Sequence, residues 1–205
     1  MAVTALIQGF FLGGSMIIPI GAQNSHILGH GIKRNHHLLA ASICTLCDIL
    51  LITIGVFGGH QLLTSNSLIA TLITYGGIIF LLGYGSLAFK TALQNQYQIE
   101  KQHHSHKTKL TVILATLAVT LLNPHVYLDT VMILGSVGSQ FVAHEKMAFA
   151  LGTMLASILW FYSLALGAAK LAPWLSKEKV QRIIDISIGC IMWFIAWTLY
   201  AHQIQ

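Results

Sequence analysis

Charge is what this chain has least of. Of its 205 residues only 8% are Asp, Glu, Lys or Arg, against roughly 25% in an average soluble domain. No charged side chain precedes Lys33, and none lies between Asp48 and Lys90. In a chain that is 55% hydrophobic, with mean hydropathy +0.72, such runs exclude a soluble globular domain and define an integral membrane protein. Cysteine is scarce too. Cys44, Cys47 and Cys190 all fall in apolar stretches, which excludes an extracellular disulfide framework and suits small buried hydrophobes. The first apolar stretch has no basic residues before it and ends in Pro19-Ile20-Gly21-Ala22-Gln23-Asn24 instead of a small-residue cleavage site. It therefore reads as a retained first helix and not as a signal peptide. The net charge of +5 does not point to nucleic acid, because the basic residues flank apolar stretches rather than line one face of a soluble domain. The partner they imply is the lipid bilayer.

At about 20 apolar residues per crossing, the sequence predicts an all-α protein of six transmembrane helices, near 4–28, 38–60, 66–90, 110–136, 147–171 and 182–202. Ten of the eleven Lys and Arg gather beside three connections: Lys33 and Arg34; Lys90, Lys101, Lys107 and Lys109; and Lys170, Lys177, Lys179 and Arg182. Only Lys146 lies elsewhere. By the positive-inside rule these connections are cytoplasmic and both termini are outside.

Proline is as rare as cysteine, with three residues, and two of them interrupt predicted spans at matching places. The first helix breaks at Pro19 and runs on into Gln23 and Asn24; the fourth breaks at Asn123-Pro124 and runs on into Tyr127 and Asp129. The two segments cross in opposite directions, the pattern of an inverted repeat. One transporter domain over 1–205 follows, with repeat one near 1–93, a cytoplasmic loop near 94–109 and repeat two near 110–205. Proline inside a span frees a carbonyl, tolerated at depth only inside protein or beside a wet cavity. The site is therefore expected where helices one and four meet. Glycines at Gly9 and Gly13, Gly55 and Gly59, and Gly76, Gly77, Gly83 and Gly85 suit close helix contact, in a compact bundle or a homodimer alike.

Asp48 and Asp129 lie deep in predicted spans, with no Lys or Arg at comparable depth. An uncompensated carboxylate at the bilayer centre costs at least about 2.5 kcal/mol. Each acid must then be protonated, paired with a bound cation, or hydrogen-bonded by Gln23, Asn24, Asn123 or Tyr127. Burial favours the neutral carboxyl and a cation favours the ionised one, so such a site exchanges a proton for a cation. That is the minimal chemistry of an antiporter. Asp185, near Arg182 at the start of the sixth helix, reads as an interfacial ion pair.

Gly9-Phe10-Phe11-Leu12-Gly13, Pro19-Ile20-Gly21-Ala22-Gln23-Asn24, Cys47-Asp48 with the apolar run to Gly59, and Leu122-Asn123-Pro124-His125-Val126-Tyr127-Leu128-Asp129 together resemble the LysE-type lysine/arginine exporters, most closely the arginine-exporter branch. The resemblance implies export of a basic amino acid across the bacterial inner membrane, coupled to the membrane energy. It places Asp48 and Asp129 on the family's intramembrane acids and Pro19, Gly21, Gln23, Asn24, Asn123 and Pro124 on its broken-helix elements. His26, Gly29 and His30 depart from the pattern, standing where apolar or amide residues are expected. No enzyme activity and no cofactor is implied.

Rival readings remain. Cys44 and Cys47 beside Asp48, with His103, His104 and His106, would suit a divalent-metal exporter. A neutral amino-acid exporter would not need two acids for substrate charge. An intramembrane aspartyl protease lacks its glycine-aspartate signature here, and a purely structural subunit leaves the paired helix breaks beside the acids unexplained.

Overall fold

In the computed structural model, which describes residues 1–19, 21–59, 67–93 and 108–204, helix follows helix and no strand occurs among the described residues. The first apolar segment is two helices, α1 (Ala2–Ile17) and α2 (Ala22–Ile32), bent by 76°. Proline has no N–H and its ring opposes the carbonyl four residues back, so α1 cannot run through Pro19. A tight turn with Arg34 and His36 at positive φ leads into α3 (His37–Ile54), which ends in a π-helical turn at Gly55–Gly59. Within that turn Gly58 has φ 140°, a conformation only glycine takes cheaply.

After α4 (Ser67–Leu93) the chain is described again from Thr108, whose hydroxyl accepts the Thr111 N–H and caps α5 (Lys109–Leu121). Asn123-Pro124 breaks this segment. The short α6 (Pro124–Tyr127), a π turn at Leu128–Ile133 and α7 (Leu134–Ser139) continue at 61° to α5. The long α8 (Ala143–Lys170), the single turn α9 (Ala172–Leu175) and α10 (Glu178–Ile204) complete the order. Four helices are long and apolar enough to cross a membrane, and six segments are if each bent pair counts as one crossing. α8 and α10 begin about one turn before the sequence expectation, because residues such as His144, Glu145, Glu178 and Lys179 continue the helix into polar surroundings that a hydropathy count excludes.

Several apolar clusters hold the bundle, and two of them form layers on either side of its centre. One joins Ile27 of α2, Ala40, Ala41 and Cys44 of α3, Val112 of α5, and Phe161 and Ala165 of α8. The other joins Ala5 of α1, Ile52 and Val56 of the α3 segment, Leu134 of α7, and Phe149 and Ala150 of α8. In the first layer the end of α2, the start of α3, the start of α5 and the end of α8 lie together, so Lys33, Lys109 and Lys170 mark one end of the molecule. Arg34 Nε also donates to Ala169 O at 3.1 Å, tying two basic connections together.

Helix contacts are close where the sequence offers glycine. α1 crosses α8 with Gly9 on the Phe149 backbone and Gly152 on that of Leu6, and Thr153 Oγ1, fully buried, lies 3.1 Å from both Gly9 O and Phe149 O. Gly76 and Gly83, by contrast, meet nothing within 4 Å. Outward faces are apolar: Leu46, Leu50 and Ile54, four residues apart along α3, are all more than half exposed. Such a stripe suits lipid and opposes the face that carries Asp48.

Candidate functional site

Between the two apolar layers, one helical turn from Cys44 on one side and from Ile52 on the other, lies Asp48. Its side chain is sealed from solvent, with the residue 2% exposed. Ser157 of α8 donates its hydroxyl to Asp48 Oδ2 at 2.8 Å. The carboxyl faces a small cavity of about 40 Å³, room for about three water molecules at roughly 10–15 Å³ each. Asp129, on the π turn, faces the same cavity from the other half of the chain. It is placed there by Gly55, which packs against the backbone of Thr130 and Val131 without room for a side chain.

Around the two acids the lining includes Pro19, Gly21, Gln23, Asn24, Asn123 and His125. The structure thus gathers most of the residues singled out from sequence at the meeting of the two helix breaks. Among the lining residues none is Lys or Arg; His125 is the basic group, with Nε2 3.5 Å from Asp129 Oδ2 one turn along.

Each break is stabilised by a side chain just beyond it. Asn24 turns its amide back on the open end of α1, with Nδ2 at 2.7 Å from Pro19 O, 2.9 Å from Ile17 O and 3.3 Å from Ile18 O. Its Oδ1 accepts the Trp160 indole N–H at 3.1 Å. With donors and acceptor thus engaged, Asn24 holds the kink and shapes the cavity wall. At the second break Asn123 Oδ1 accepts the His125 N–H at 3.2 Å. This removes the donor that Leu121 O would have in a continuous helix, and the Tyr127 hydroxyl replaces it at 2.8 Å. Tyr127 does not line the cavity; its hydroxyl serves the break. Gln23 Nε2 reaches Thr120 Oγ1 of α5 at 3.3 Å, linking the first break to the second.

Ser157, Trp160, Thr120 and His125 were not singled out from the sequence as site residues. Serine, threonine and tryptophan are ordinary in membrane helices, and their partners here lie 97 to 136 residues away. His125 carried a signal, sitting four residues before an intramembrane acid. Cys44 Sγ lies 3.6 Å from Thr120 Oγ1. Among the described residues no three of His, Cys, Asp and Glu come together in a way that would hold a metal ion, and His103, His104 and His106 lie outside the described residues.

This arrangement brings two carboxyls from opposite halves of a membrane protein to one cavity between broken helices. Comparison with known proteins gives the family. Residues 14–203 match the family model described as "LysE type translocator". The "Putative amino-acid transporter YggA" of Aeromonas salmonicida is 54% identical over 91% of this chain and 90% of its own length. The "Arginine exporter protein ArgO" of Pectobacterium carotovorum subsp. carotovorum is 47% identical over 97% of this chain and 98% of its own. The protein of the same name from Escherichia coli is 47% identical over 94% and 91%. No solved structure matches the chain. With that family model spanning nearly the whole sequence, the chain belongs to the LysE-type translocators.

Proposed function

We propose that this multi-pass protein of the bacterial inner membrane exports basic amino acids, arginine and also lysine, from the cytoplasm in exchange for protons. The observation that carries the reading is the convergence of Asp48 and Asp129 on one cavity whose lining holds no Lys or Arg. Names of relatives along nearly the full chain support amino-acid export, and specifically arginine. Arginine keeps its charge and offers a planar fork that a carboxylate accepts on two N–H groups. The kinked start of α2, with Gly21, Gln23 and Asn24 in the cavity lining, has backbone N–H groups that suit the substrate α-carboxylate.

Proton coupling follows from energetics. Moving one net positive charge outward against an interior-negative potential costs about 2.3 kcal/mol per 100 mV, and an entering proton cancels the charge. In the cycle, substrate enters from the basic end and binds ionised Asp48 and Asp129; the two halves rock; protonation from outside then releases it. The halves are read as inverted repeats. α1 with α2 packs on α8 as α5 with α7 packs on α3, and α4 packs on α10, which suits a pseudo-two-fold axis in the membrane plane.

The test is efflux of labelled arginine from loaded cells, comparing native protein, Asp48→Asn and a protonophore. Loss of efflux in both treatments is expected. Normal efflux from a folded Asp48→Asn protein would remove the acid from the mechanism. If the native protein carried neutral amino acids and no arginine, the substrate would have to be reassigned.

A further inference from the structure

The two acids of the cavity are held differently. Asp48 accepts the Ser157 hydroxyl at 2.8 Å, a neutral donor in a sealed position. Asp129 faces instead the ring of His125, whose Nε2 lies 3.5 Å from its Oδ2, beyond the roughly 2.7–3.2 Å of an ordinary N–H···O hydrogen bond. The histidine side chain is 38% exposed and that of Asp129 14%, so the ring is the more accessible member of the pair. Both residues border the cavity that Asp48 faces.

The backbone sets where the ring starts. α6 opens just beyond Asn123-Pro124, with the His125 N–H held by Asn123 Oδ1 at 3.2 Å, and one helical turn separates the side chain from that of Asp129. The ring's other nitrogen is not engaged: Nδ1 is buried and has no hydrogen-bond partner among the described residues. Placing the ring's hydrogen there would leave a buried donor unmet, so the neutral ring carries it on Nε2, directed at Asp129. Turning the ring aside breaks no hydrogen bond at Nδ1. The polar contact it gives up is the one with Asp129.

We infer that His125 is a tethered competitor for the substrate's cationic head, holding the place beside Asp129 that a guanidinium or ammonium group must take. The inference rests on the proposed export of basic amino acids. Imidazole and guanidinium offer a carboxylate the same thing, a planar group with N–H donors in its plane. The cavity of about 40 Å³ does not admit both beside Oδ2, so substrate binds Asp129 only when the ring has turned out.

Two consequences follow from the shared place. While no substrate is bound, the ring gives a carboxyl deep in a membrane protein a donor, where an uncompensated charge is costly. Once substrate competes, the apparent affinity is the intrinsic one reduced to the fraction of molecules whose ring has left. His125 thus sets how tightly the site binds without adding to the contacts that hold the substrate. A side chain that merely packs, or one that helps to hold the substrate, would do the opposite on removal and weaken binding.

The test is exchange of labelled arginine by the full-length protein in liposomes, comparing the native chain with His125→Ala, His125→Gln and His125→Arg. All three keep the backbone N–H that Asn123 holds. Ala removes the competitor, Gln keeps a neutral N–H near the place of Nε2, and Arg installs a permanent cation. Half-saturating arginine should fall by roughly threefold or more in the Ala variant, stay near native in the Gln variant and rise by about tenfold or more in the Arg variant. The maximal exchange rate of the Ala and Gln variants should stay close to native. A half-saturation in the Ala variant equal to or above native would overturn the inference. Should that variant not fold, the other two decide, and equal half-saturation in the Gln and Arg variants would overturn it. If the native protein exchanged no arginine, the proposed function itself would fall and the inference with it, whereas native exchange without tightening in the Ala variant would remove the inference alone.

Discussion

At the scale of single residues, the chemistry turns on which oxygen of Asp48 is held. Ser157 occupies Oδ2, so the carboxyl is oriented before any substrate arrives, and orientation of a buried acid is worth energy because its alternatives are unsatisfied. Removing one partner of a buried hydrogen bond costs about 1–3 kcal/mol. Ser157→Ala should therefore raise the half-saturating arginine concentration by about tenfold, the equivalent of 1.4 kcal/mol, while Ser157→Thr, which keeps a hydroxyl, should change it far less. Half-saturation of arginine exchange in liposomes measures this. Equal behaviour of the Ala and native proteins would show that the hydrogen bond does not prepare the site. Asp48 was legible in the sequence because a lone acid in an apolar run has few structural reasons to be there. Ser157 was not, since serine in a membrane helix commonly bonds its own backbone and nothing local marks the one that reaches another helix.

Among elements, the informative features are the two interruptions. The prolines announced both in the sequence, for reasons of backbone geometry alone. What satisfies the freed carbonyls was only half legible. Asn24 and Tyr127 stood out as polar residues near the breaks that could hydrogen-bond the acids, whereas the structure turns the Asn24 amide N–H groups and the Tyr127 hydroxyl onto the backbone. The π turns at Gly55–Gly59 and Leu128–Ile133 were not legible, because one extra residue per turn leaves no mark in composition or hydropathy. The different loads on the two break residues are testable. Asn24→Leu leaves the Ile17 and Pro19 carbonyls and the Trp160 N–H unpaired; Tyr127→Phe leaves only Leu121 O. At about 1–3 kcal/mol per orphaned group, the first should lower the thermal midpoint in detergent clearly more than the second. The reverse order would mean that the first break draws its stability from elsewhere.

For the whole molecule, the question is how a cavity of about 40 Å³ serves an amino acid many times larger than the water it can hold. The two apolar layers pack along α3 on either side of Asp48, so making room for an amino acid requires at least one of them to part. The layers are built differently. Toward the basic end, the small residues Ala40, Ala41 and Ala165 and the polar seam of His26 and Thr116 meet around Phe161; toward the other, Phe149 stacks on Phe141 across a crossing locked by Gly9 and Gly152. If the protein alternates, each layer opens in turn while the other holds. A cysteine at Met16, which lines the cavity, in a background with Cys44, Cys47 and Cys190 changed to Ala, should then react with a membrane-impermeant thiol reagent added from either side. Arginine should slow both reactions, because it fills the space the reagent must reach. Labelling from one side only, unaffected by arginine, would describe a site with a single mouth, and alternating access would have to be given up. Labelling from both sides with arginine protection would mean that both layers act as gates around one fixed pair of acids.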